Sequence, residues 1–561
     1  MPNKKTTNSD IVISLLPDDE SKPRPRLAKL IIRNFRAIGS KPVEIDLDEV
    51  VVLVGANNTG KSAVLKAYEY AMSTGSAAGK MKLEDFPNSI VDSKRLPEIE
   101  VHTVISENKP GEKWIEHLEN GEMLIREKWI WESPNSEPKR RGFDVVSGEW
   151  SEDNVPWGAA NVANAYRPKP HRIDAFASPE EQANAITALL SGIIKEKVKD
   201  FRSKNNKTDK TDYEIIIESI ADFQNKITIS IQEDVKEIED NISKYLSEVF
   251  DNYSIQLDAN PESGVDKTYS PFKDTPDLLM GPTGGYMSKV AVQGSGARRT
   301  LLWTALKYIA ENTKDKSERP HVLLLDEPEI CLHPTAIRDA QRVLYELPET
   351  HNWQVMVTTH SPVFIDLSKD NTTIIRVDRN TNDEVCSTTL YRPQKVKLSK
   401  DDKENLKLLN ICDPYVNEFF FGGRIIVVEG DTEYTAFSML KEIYKTEYSD
   451  VHVIRARGKG TIPSIIKILN QFASTYAVLH DADTEKCKNS NKANPAWAIN
   501  KKIIEEIGNS VNKDKIIIIA CITNFECAIY GKEVSKDKPF NTYLEVKNDT
   551  KSVIVKFVKD I

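Results

Sequence analysis

Hydrophobic positions along the chain switch between two periods, and each switch predicts a change of secondary structure. From residue 27 onward, LAKLIIRNF, VEIDL and VVLVG have the length and composition of strands. A glycine-rich turn follows the third strand, and SAVLKAYEYAMS then has the apolar spacing of a helix. This order of strand, glycine turn and helix is typical of the start of an α/β nucleotide-binding unit.

The next part of the chain predicts a sheet and then helices. IEVHTVIS, EMLIREKWIWE and RGFDVVSGEW alternate like antiparallel strands. Residues 178–250 have helical spacing with a polar, basic break, which predicts a helical hairpin inserted into the α/β lobe, with its lysines on a solvated surface. The tryptophans of the strand region are interpreted as half-buried sheet residues, namely Trp114, Trp129, Trp131 and Trp150.

Two more α/β stretches follow. Residues 286–395 contain a glycine-rich turn, the helix RRTLLWTALKYIAEN and the strands HVLLLDEP and WQVMVTTHS. From Gly423 the strands RIIVVEG, VHVIRA, YAVLHDAD and KIIIIACI alternate with helical segments. Strands and helices that alternate at this spacing predict a parallel sheet.

Composition narrows the class of protein. The chain has 561 residues, 76 Lys and Arg against 85 Asp and Glu, a net charge of −9, 39% hydrophobic residues and 29% charged residues. These values predict a globular protein of about two to four domains and exclude one that coats nucleic acid by bulk charge. The six cysteines show no CxxC spacing, which favours reduced thiols in a cytoplasm over a zinc site or disulfides. No apolar run approaches the roughly 20 residues of a membrane span, and the polar N-terminus has no signal-peptide core, so no membrane association is expected.

A phosphate-binding loop is the first chemical motif. Gly55-Ala-Asn-Asn-Thr-Gly-Lys-Ser62 matches GxxxxGK[ST] in full, between a predicted strand and a predicted helix. Backbone N–H groups of such a loop face phosphate, so we expect Gly55, Asn58 and Gly60 to bind ATP. Lys61 should reach the β and γ phosphates, and Ser62 should hold Mg²⁺.

The run VLLLDEPE supplies the carboxylates of an ATPase site. Asp326 and Glu327 follow four apolar residues, at the carboxyl end of a predicted buried strand, where ligands bind in open parallel sheets. We expect Asp326 in the Mg²⁺ shell and Glu327 to polarise the attacking water.

These segments resemble the ABC/SMC/RecF class of ATPases over residues 27–395, apart from the inserted helices. IRNFR resembles the first strand of that class, DEPEICLHP its Walker B motif and D-loop, and TTHS, with His360, its switch histidine. VQGSGARR resembles the signature loop, with Ser295 and Gly296 at its tip. An LSGGQ-like sequence is absent, and the alternative is a glycine-rich turn with a structural role only. The resemblance implies a head-to-head homodimer in which one subunit's signature loop closes on the partner's ATP.

A second group of acids lies in the C-terminal unit. Glu429 ends one predicted strand, and Asp481 and Asp483 end another. Parallel strands bring these ends to one sheet edge, where the two aspartates would point the same way if strand geometry continued. Glu433 lies one helical turn further along. Converging carboxylates repel one another unless cations lie between them, and hard oxygen ligands suit Mg²⁺ or Mn²⁺.

This arrangement resembles a Toprim domain, and VVEGDTE, RGKG and VLHDADTE resemble those of the OLD (overcoming lysogenization defect) family nucleases, a group that includes Gabija-type and retron-linked defence nucleases. The resemblance implies that Glu429, Glu433, Asp481 and Asp483 are metal ligands. It matches Glu526 to a later acidic ligand and Lys538 to a catalytic lysine, with Lys536 as a competing assignment. It further suggests anti-phage defence and a separately encoded partner, either helicase-like or a retron reverse transcriptase with its nucleic acid.

The resulting hypothesis is an ATP-regulated, metal-dependent DNA endonuclease. Two divalent ions about 4 Å apart can activate water and stabilise the leaving 3′ oxygen of a phosphodiester, and a lysine can neutralise transition-state charge. In this reading Glu429, Asp481, Lys538 and Glu327 are the catalytic residues. Arg455, Arg457 and Lys459 could hold flanking phosphates or form an ordinary basic loop.

Other functions are weaker. A RecF-like ATP-dependent DNA clamp with a non-catalytic Toprim domain is the main alternative, but a binding domain gains nothing from repelling acids. The sequence has no segment for the DNA gate of a topoisomerase and no cysteine spacing typical of a zinc-containing primase. It also has no membrane segment of the kind that a transporter ATPase needs.

The predicted architecture is an α/β protein in which an ABC-type ATPase with a helical insertion precedes a parallel-sheet Toprim domain. The predicted segments are a flexible tail (1–26), an N-terminal ATPase lobe (27–177), a dimerising helical insertion (178–260), a C-terminal ATPase lobe (261–398) and a Toprim nuclease domain (399–561).

Overall fold

The structure, a computed structural model, describes most of the chain from residue 25 to residue 559. The described residues are 25–106, 110–152, 154–159, 162–163, 166–174, 177–188, 190, 235–247, 249–250, 253–258, 277–312, 320–350, 353–380, 383–392, 396, 398–413, 416–472, 475–487, 492–534 and 536–559. Residues 1–24 of the predicted tail and most of the predicted helical insertion therefore lie outside the described residues. The predicted dimerisation through that insertion stays a prediction.

Strands form at the apolar runs that the sequence marks. Their bounds are Arg26–Arg33 (β1), Val43–Asp46 (β2), Val50–Val54 (β3), Glu98–Ile105 (β4), Ile115–His117 (β5), Met123–Ile130 (β6), Lys139–Asp144 (β7), Glu149–Trp150 (β8), Lys169–Ile173 (β9), Tyr253–Asp258 (β10), Asp277–Pro282 (β11), Ser288–Lys289 (β12), His321–Asp326 (β13), Trp353–Thr358 (β14), Thr372–Arg379 (β15), Val385–Tyr391 (β16), Arg424–Val428 (β17), Val451–Arg455 (β18), Tyr476–Asp481 (β19) and Ile517–Cys521 (β20).

Helices occupy the segments with 3.6-residue spacing. They span Lys61–Met72 (α1), 179–188 (α2), 235–247 (α3), Ser295–Asn312 (α4), Pro334–Thr350 (α5), Lys400–Cys412 (α6), Asp431–Ile443 (α7), Lys445–Tyr448 (α8), Ile462–Leu469 (α9), Pro495–Gly508 (α10), Phe525–Tyr530 (α11), Lys538–Asn548 (α12) and Val553–Lys559 (α13). No helix in the described part of the chain is long and apolar enough to cross a membrane.

Two large sheets build the first lobe, which also contains a small antiparallel sheet in the order β10-β11-β12. A six-stranded sheet has the order β16-β15-β3-β14-β13-β9 and is parallel except for β16. A seven-stranded antiparallel sheet runs β2-β1-β4-β6-β7-β8, with β5 beside β6. Alternate residues of β3 point to opposite cores, with Val51 and Leu53 packed against α1 and the antiparallel sheet. Val50, Val52 and Val54 join the other core, which contains α4 and α5.

The prediction that the four tryptophans of the antiparallel sheet region are half-buried is wrong for three of them. Trp114, Trp129 and Trp131 are 4%, 0% and 0% exposed, so they are core residues, whereas Trp150 is half-buried. Their burial follows from the packing of the antiparallel sheet on the ATPase lobe, which a strand pattern alone does not reveal.

The C-terminal unit is a four-stranded parallel sheet in the order β18-β17-β19-β20. Ile425 and Val427 of β17 face the core shared with the first lobe, while Val428 faces a separate core with α7, α12 and α13. The predicted strand KIIIIACI forms β20, which lies at the sheet edge, so Ile517 and Ile518 are 44% and 39% exposed.

Helix α6 and the short 3₁₀ turn Val416–Phe421 connect the two units. Asp402 of α6 accepts hydrogen bonds from Ser464 and Lys467 of α9, at 2.7 Å each. On the other side, Asn417 donates to the Ile365 carbonyl at 2.9 Å. The connection is therefore bonded to both units.

Candidate nucleotide and metal sites

The phosphate-binding loop has a backbone that requires its glycines. Gly55 has φ of 144°, and a Cβ there would lie 2.1 Å from the Val377 carbonyl oxygen. Gly60, with φ of 97°, precedes the first residue of α1, and Asn58 has φ of 60°. The loop thus turns directly into a helix N-terminus, the arrangement that favours phosphate.

Lys61 lies inside the loop. Its side chain is buried, and Nζ donates to the carbonyls of Gly55 and Ala56 at 3.1 and 2.8 Å. Burial lowers the pKa of Lys61, while Glu327 and Asp326 act in the opposite direction. The ammonium is therefore close enough to interact with Asp326, which ends β13, and with Glu327, which follows it.

Ser62 and Asp326, both predicted to lie at a magnesium site, are hydrogen-bonded to each other. Ser62 Oγ donates to Asp326 Oδ1 at 2.8 Å, and Thr358 Oγ1 donates to the same oxygen at 2.6 Å. The topology explains this contact, because β14 lies between β3 and β13 and pairs Thr358 with Asp326. Ser62 and Asp326 provide the hydroxyl and carboxylate oxygens that a magnesium ion takes beside a nucleotide.

Glu327 and His360 face each other. His360 Nε2 is 3.4 Å from Glu327 Oε1. Glu327 has φ of 44°, and its N–H donates to the Thr358 carbonyl at 3.0 Å. Burial and the charge of Lys61 lower the pKa of His360, against the effect of Glu327. Burial and Lys61 therefore favour the neutral imidazole beside this carboxylate.

The sequence reasoning missed three residues here: Thr358, Glu329 and Arg172. Glu329 is half-buried, and this burial raises its pKa. Its Oε1 accepts from the His360 N–H at 2.7 Å and from Thr359 Oγ1 at 2.8 Å. Arg172 of β9 is 3.8 Å from Asp326 Oδ2. The strings TTHS and DEPE contain the first two, whereas Arg172 is visible only once β9 is paired with β13.

The predicted signature residues lie at the start of a helix and not at the tip of a loop. Ser295 and Gly296 form the first turn of α4, where Ser295 is exposed. A Cβ on Gly296 would lie 3.1 Å from the Cys331 carbonyl, so this turn packs against the segment after Walker B.

Glu429 and Asp481 lie together at the carboxyl edge of the C-terminal four-stranded sheet. Glu429 follows β17, and Asp481 is the last residue of the adjacent strand β19. The Asp481 N–H donates to Glu429 Oε2 at 3.0 Å. The Phe525 N–H donates to Asp481 Oδ1 at 2.7 Å. Burial raises the pKa of Asp481 to about 8, and Glu429 and Glu433 add to the shift.

Glu433 lies in the first turn of α7 and is buried. The Gly430 N–H donates to Glu433 Oε2 at 3.1 Å. Burial, together with the charges of Glu429 and Glu526, raises the pKa of Glu433 to about 7. Burial also raises the pKa of Glu429, with Lys459 opposing and Asp483 adding to the effect.

Asp483 departs from the predicted strand geometry. The strand ends at Asp481, and Asp483 has φ of 62°, with its N–H bonded to the Thr523 carbonyl at 2.8 Å. The side chain is therefore placed by a turn next to β20 and not by strand alternation. Its Oδ2 lies 2.7 Å from Lys459 Nζ, and its charge contributes to the raised pKa of Glu429.

Glu526 and Lys538 complete this edge. Glu526, in the first turn of α11, is buried and lies 3.0 Å from Lys538 Nζ, at the start of α12. The charge of Glu526 acts on both Glu433 and Asp481. Lys536 is exposed, so the geometry favours Lys538.

The carboxylates fit a hard divalent cation by donor type, burial and mutual repulsion. Within the described ranges, no group of three or more His, Cys, Asp or Glu side chains already has metal-binding geometry. One oxygen of each carboxylate is instead bonded to a backbone N–H or a lysine. The residues that would hold a cation are Glu429, Glu433, Asp481, Asp483 and Glu526.

The three basic residues at the end of β18 and in the following turn have different environments in the structure. Arg455 is ion-paired with Asp431 at 2.7 Å and Asp413 at 3.4 Å. Arg457 is exposed, and Lys459 is buried against Asp483. Only Arg457 thus keeps the exposed position that the phosphate-holding hypothesis requires of all three.

Comparisons with known proteins match both units. The AAA ATPase domain family matches residues 26–121 and 170–365, and the overcoming lysogenization defect protein-like TOPRIM domain matches residues 420–483. The Old nuclease of Escherichia phage P2 is 23% identical over 480 residues, covering 82% of this chain and 77% of that protein. The OLD nuclease of Thermus scotoductus is 22% identical over 504 residues, covering 86% and 84%. The solved Smc head domain with an extended coiled coil from Pyrococcus furiosus is 16% identical, covering 69% of this chain and 99% of that one, with a TM-score of 0.42.

The fold and the two sites define an ATPase joined to a Toprim nuclease domain. The chain belongs to the AAA ATPase domain family and, through its second unit, to the OLD family of nucleases. The predicted ABC/RecF-like fold and family are confirmed, whereas the roles of the individual site residues stay predictions.

Proposed function

We propose that the protein is an ATP-regulated, divalent-metal-dependent DNA endonuclease. The observation that carries the proposal is that five carboxylates and Lys538 lie at one edge of the C-terminal four-stranded sheet. The same chain has a complete phosphate-binding loop and Walker B motif. Five acids at one sheet edge, two of them buried and three partly buried, are costly unless cations bind there.

In the ATPase unit, the loop residues from Gly55 to Ser62 cradle the phosphates, and Asp326 shares the magnesium site with Ser62. Glu327 orients the attacking water. His360 lies within 3.4 Å of Glu327 and reports the state of the γ phosphate to the segment that follows.

In the Toprim unit, a bound divalent ion would supply a water of lowered pKa and charge stabilisation for the scissile phosphate. Glu429, Asp481 and Glu433 would hold it, with Asp483 and Glu526 completing the set. Lys538 lies at the exposed rim, where its ammonium neutralises negative charge that builds up on a phosphate.

The path between the sites supports regulation by ATP. The His360 ring stacks on Phe421 with centroids 6.5 Å apart. Strand β17 begins three residues after Phe421, at Arg424, and leads directly to Glu429. A change at His360 therefore has a short, packed route to the carboxylate edge.

Assembly and biological role belong to the same proposal. Ser295 is exposed at the start of α4. In a homodimer like that of the ATPase class this chain resembles, Ser295 of one copy would contact the ATP bound to the other copy. The OLD family membership supports a role in anti-phage defence with a separately encoded partner.

Plasmid cleavage tests the proposal. Supercoiled DNA is incubated with the wild type or Asp481→Ala, with Mg²⁺ or Mn²⁺, and with or without ATP. Metal-dependent nicking or linearisation should be lost in Asp481→Ala and kept in Asp514→Ala, a control at an exposed acid of the same unit. Equal cleavage by wild type and Asp481→Ala would reject the site, and metal-independent DNA binding with no cleavage would favour the clamp.

A further inference from the structure

Lys459 lies within the carboxylate cluster. Its side chain is 4% exposed, and Nζ is 2.7 Å from Asp483 Oδ2 and 3.4 Å from the Ala482 carbonyl oxygen. The turn that carries it is tied to the same edge, because the Gly458 N–H donates to the Glu429 carbonyl at 3.0 Å.

A buried ammonium persists only where it is paired, because an isolated charge in a protein interior is strongly unfavourable. Here the partner is one of several acids that repel one another, and the charge of Lys459 also acts on Glu429. Lys459 therefore supplies inside the cluster the positive charge that a cation would otherwise bring.

Lys459 and a divalent ion cannot both sit close to Asp483 without repulsion. Both carry positive charge, and in a partly buried site water screens their repulsion only weakly. Binding of the ion is thus coupled to displacement of the ammonium.

We propose that Lys459 is the resident counter-ion of the carboxylate cluster, which holds Asp483 in the metal-free protein and releases it when a divalent cation binds. This inference rests on the proposed function, because it takes the carboxylate edge as a metal site. The released ammonium is then available to neutralise a phosphate at the same edge.

The first test compares Mn²⁺ binding by isothermal titration calorimetry in the full chain. Lys459→Met should bind Mn²⁺ at least about tenfold more tightly than the wild type, since a competing charge is gone. It should also have a lower melting temperature without metal and a larger rise with Mn²⁺. Lys459→Arg keeps the charge and should retain the wild-type affinity, and Arg457→Met, an exposed residue of the same loop, should change neither quantity.

Unchanged or weaker Mn²⁺ affinity in Lys459→Met would overturn the inference. Asp481→Ala separates it from the proposed function: if that variant binds Mn²⁺ as the wild type does, the carboxylate edge is not the metal site and the proposed function fails instead.

A second measurement needs no variant and remains decisive if Lys459→Met does not fold. Lysine acetylation followed by mass spectrometry should label Lys459 at least about threefold more with Mg²⁺ than without it, whereas the exposed Lys501 is labelled equally in both. Equal protection of Lys459 in both conditions would contradict its release.

Discussion

Both sites contain single residues with unusual backbone angles. Asn58, Glu327 and Asp483 have positive φ, a region that non-glycine residues adopt at a cost of about 1 kcal/mol or more. Each places a polar group where neither a regular strand nor a helix would place it. The surrounding hydrogen bonds, such as the one from the Asp483 N–H to the Thr523 carbonyl, hold these conformations.

Thr358→Val tests a residue that the motifs did not single out. Valine keeps the shape but removes the hydroxyl that donates to Asp326 Oδ1, leaving Ser62 as the donor to that oxygen. We expect the Kd for Mg·ATP to rise by about tenfold, which corresponds to about 1.4 kcal/mol, with an unchanged fold. Binding of a fluorescent ATP analogue measures the change, and Thr388→Val, at an exposed position of β16, is the control. Unchanged Mg·ATP affinity would show that Ser62 alone positions the carboxylate.

At the scale of elements, local pattern and sheet order contribute differently. Apolar runs located the strands that carry Glu429 and Asp481, and helical spacing located α7 with Glu433. The order β18-β17-β19-β20 was not readable, and it decides that β17 and β19 are neighbours and that β20 is exposed. Loop and helix starts, where Asp483, Glu526 and Lys459 lie, depend on which elements pack together.

Asp402 is expected to stabilise the junction between the two units in a pH-dependent way. Burial opposes its ionisation, but hydrogen bonds from Lys467, Ser464 and Ser399 outweigh this and lower its pKa to about 2. The folded pKa lies below the unfolded value of about 3.9, so the stabilisation is full above pH 4 to 5 and is lost as pH falls toward 2.

Asp402→Asn should therefore reduce the free energy of unfolding by about 1–3 kcal/mol at pH 7. The difference from the wild type should narrow between pH 5 and pH 3. Thermal melts at several pH values measure it, with Asp401→Asn, the exposed neighbour in α6, as the control. A difference that does not depend on pH would mean that the carboxylate charge contributes nothing.

The whole molecule joins two sites through one packed core. The largest hydrophobic core contains residues of the ATPase sheet, the 3₁₀ turn Val416–Phe421 and β17. This continuity makes the ATP site and the carboxylate edge parts of one body, and the stacking of His360 on Phe421 lies on the route between them.

Phe421→Ala should uncouple the two sites. Removal of the ring leaves His360 without its stacking partner but does not touch the phosphate-binding loop. ATP should bind with unchanged affinity, while the ratio of cleavage rates with and without ATP moves toward one. Parallel nucleotide-binding and plasmid-cleavage assays test this, with Tyr286→Ala at a position 85% exposed as the control. A wild-type ratio in Phe421→Ala would place the coupling elsewhere.

The sequence by itself determined the phosphate-binding loop, the Walker B carboxylates, the two α/β units and the acids at the ends of β17 and β19. These features are local, since a glycine turn, an apolar run and a following carboxylate are contiguous in the chain. Only the tertiary structure decided that Thr358 donates a hydrogen bond to Asp326, that Lys459 is buried against Asp483, and that Glu526 contacts Lys538. Those contacts join residues from separate elements, and their distances depend on strand order and on how the turns pack.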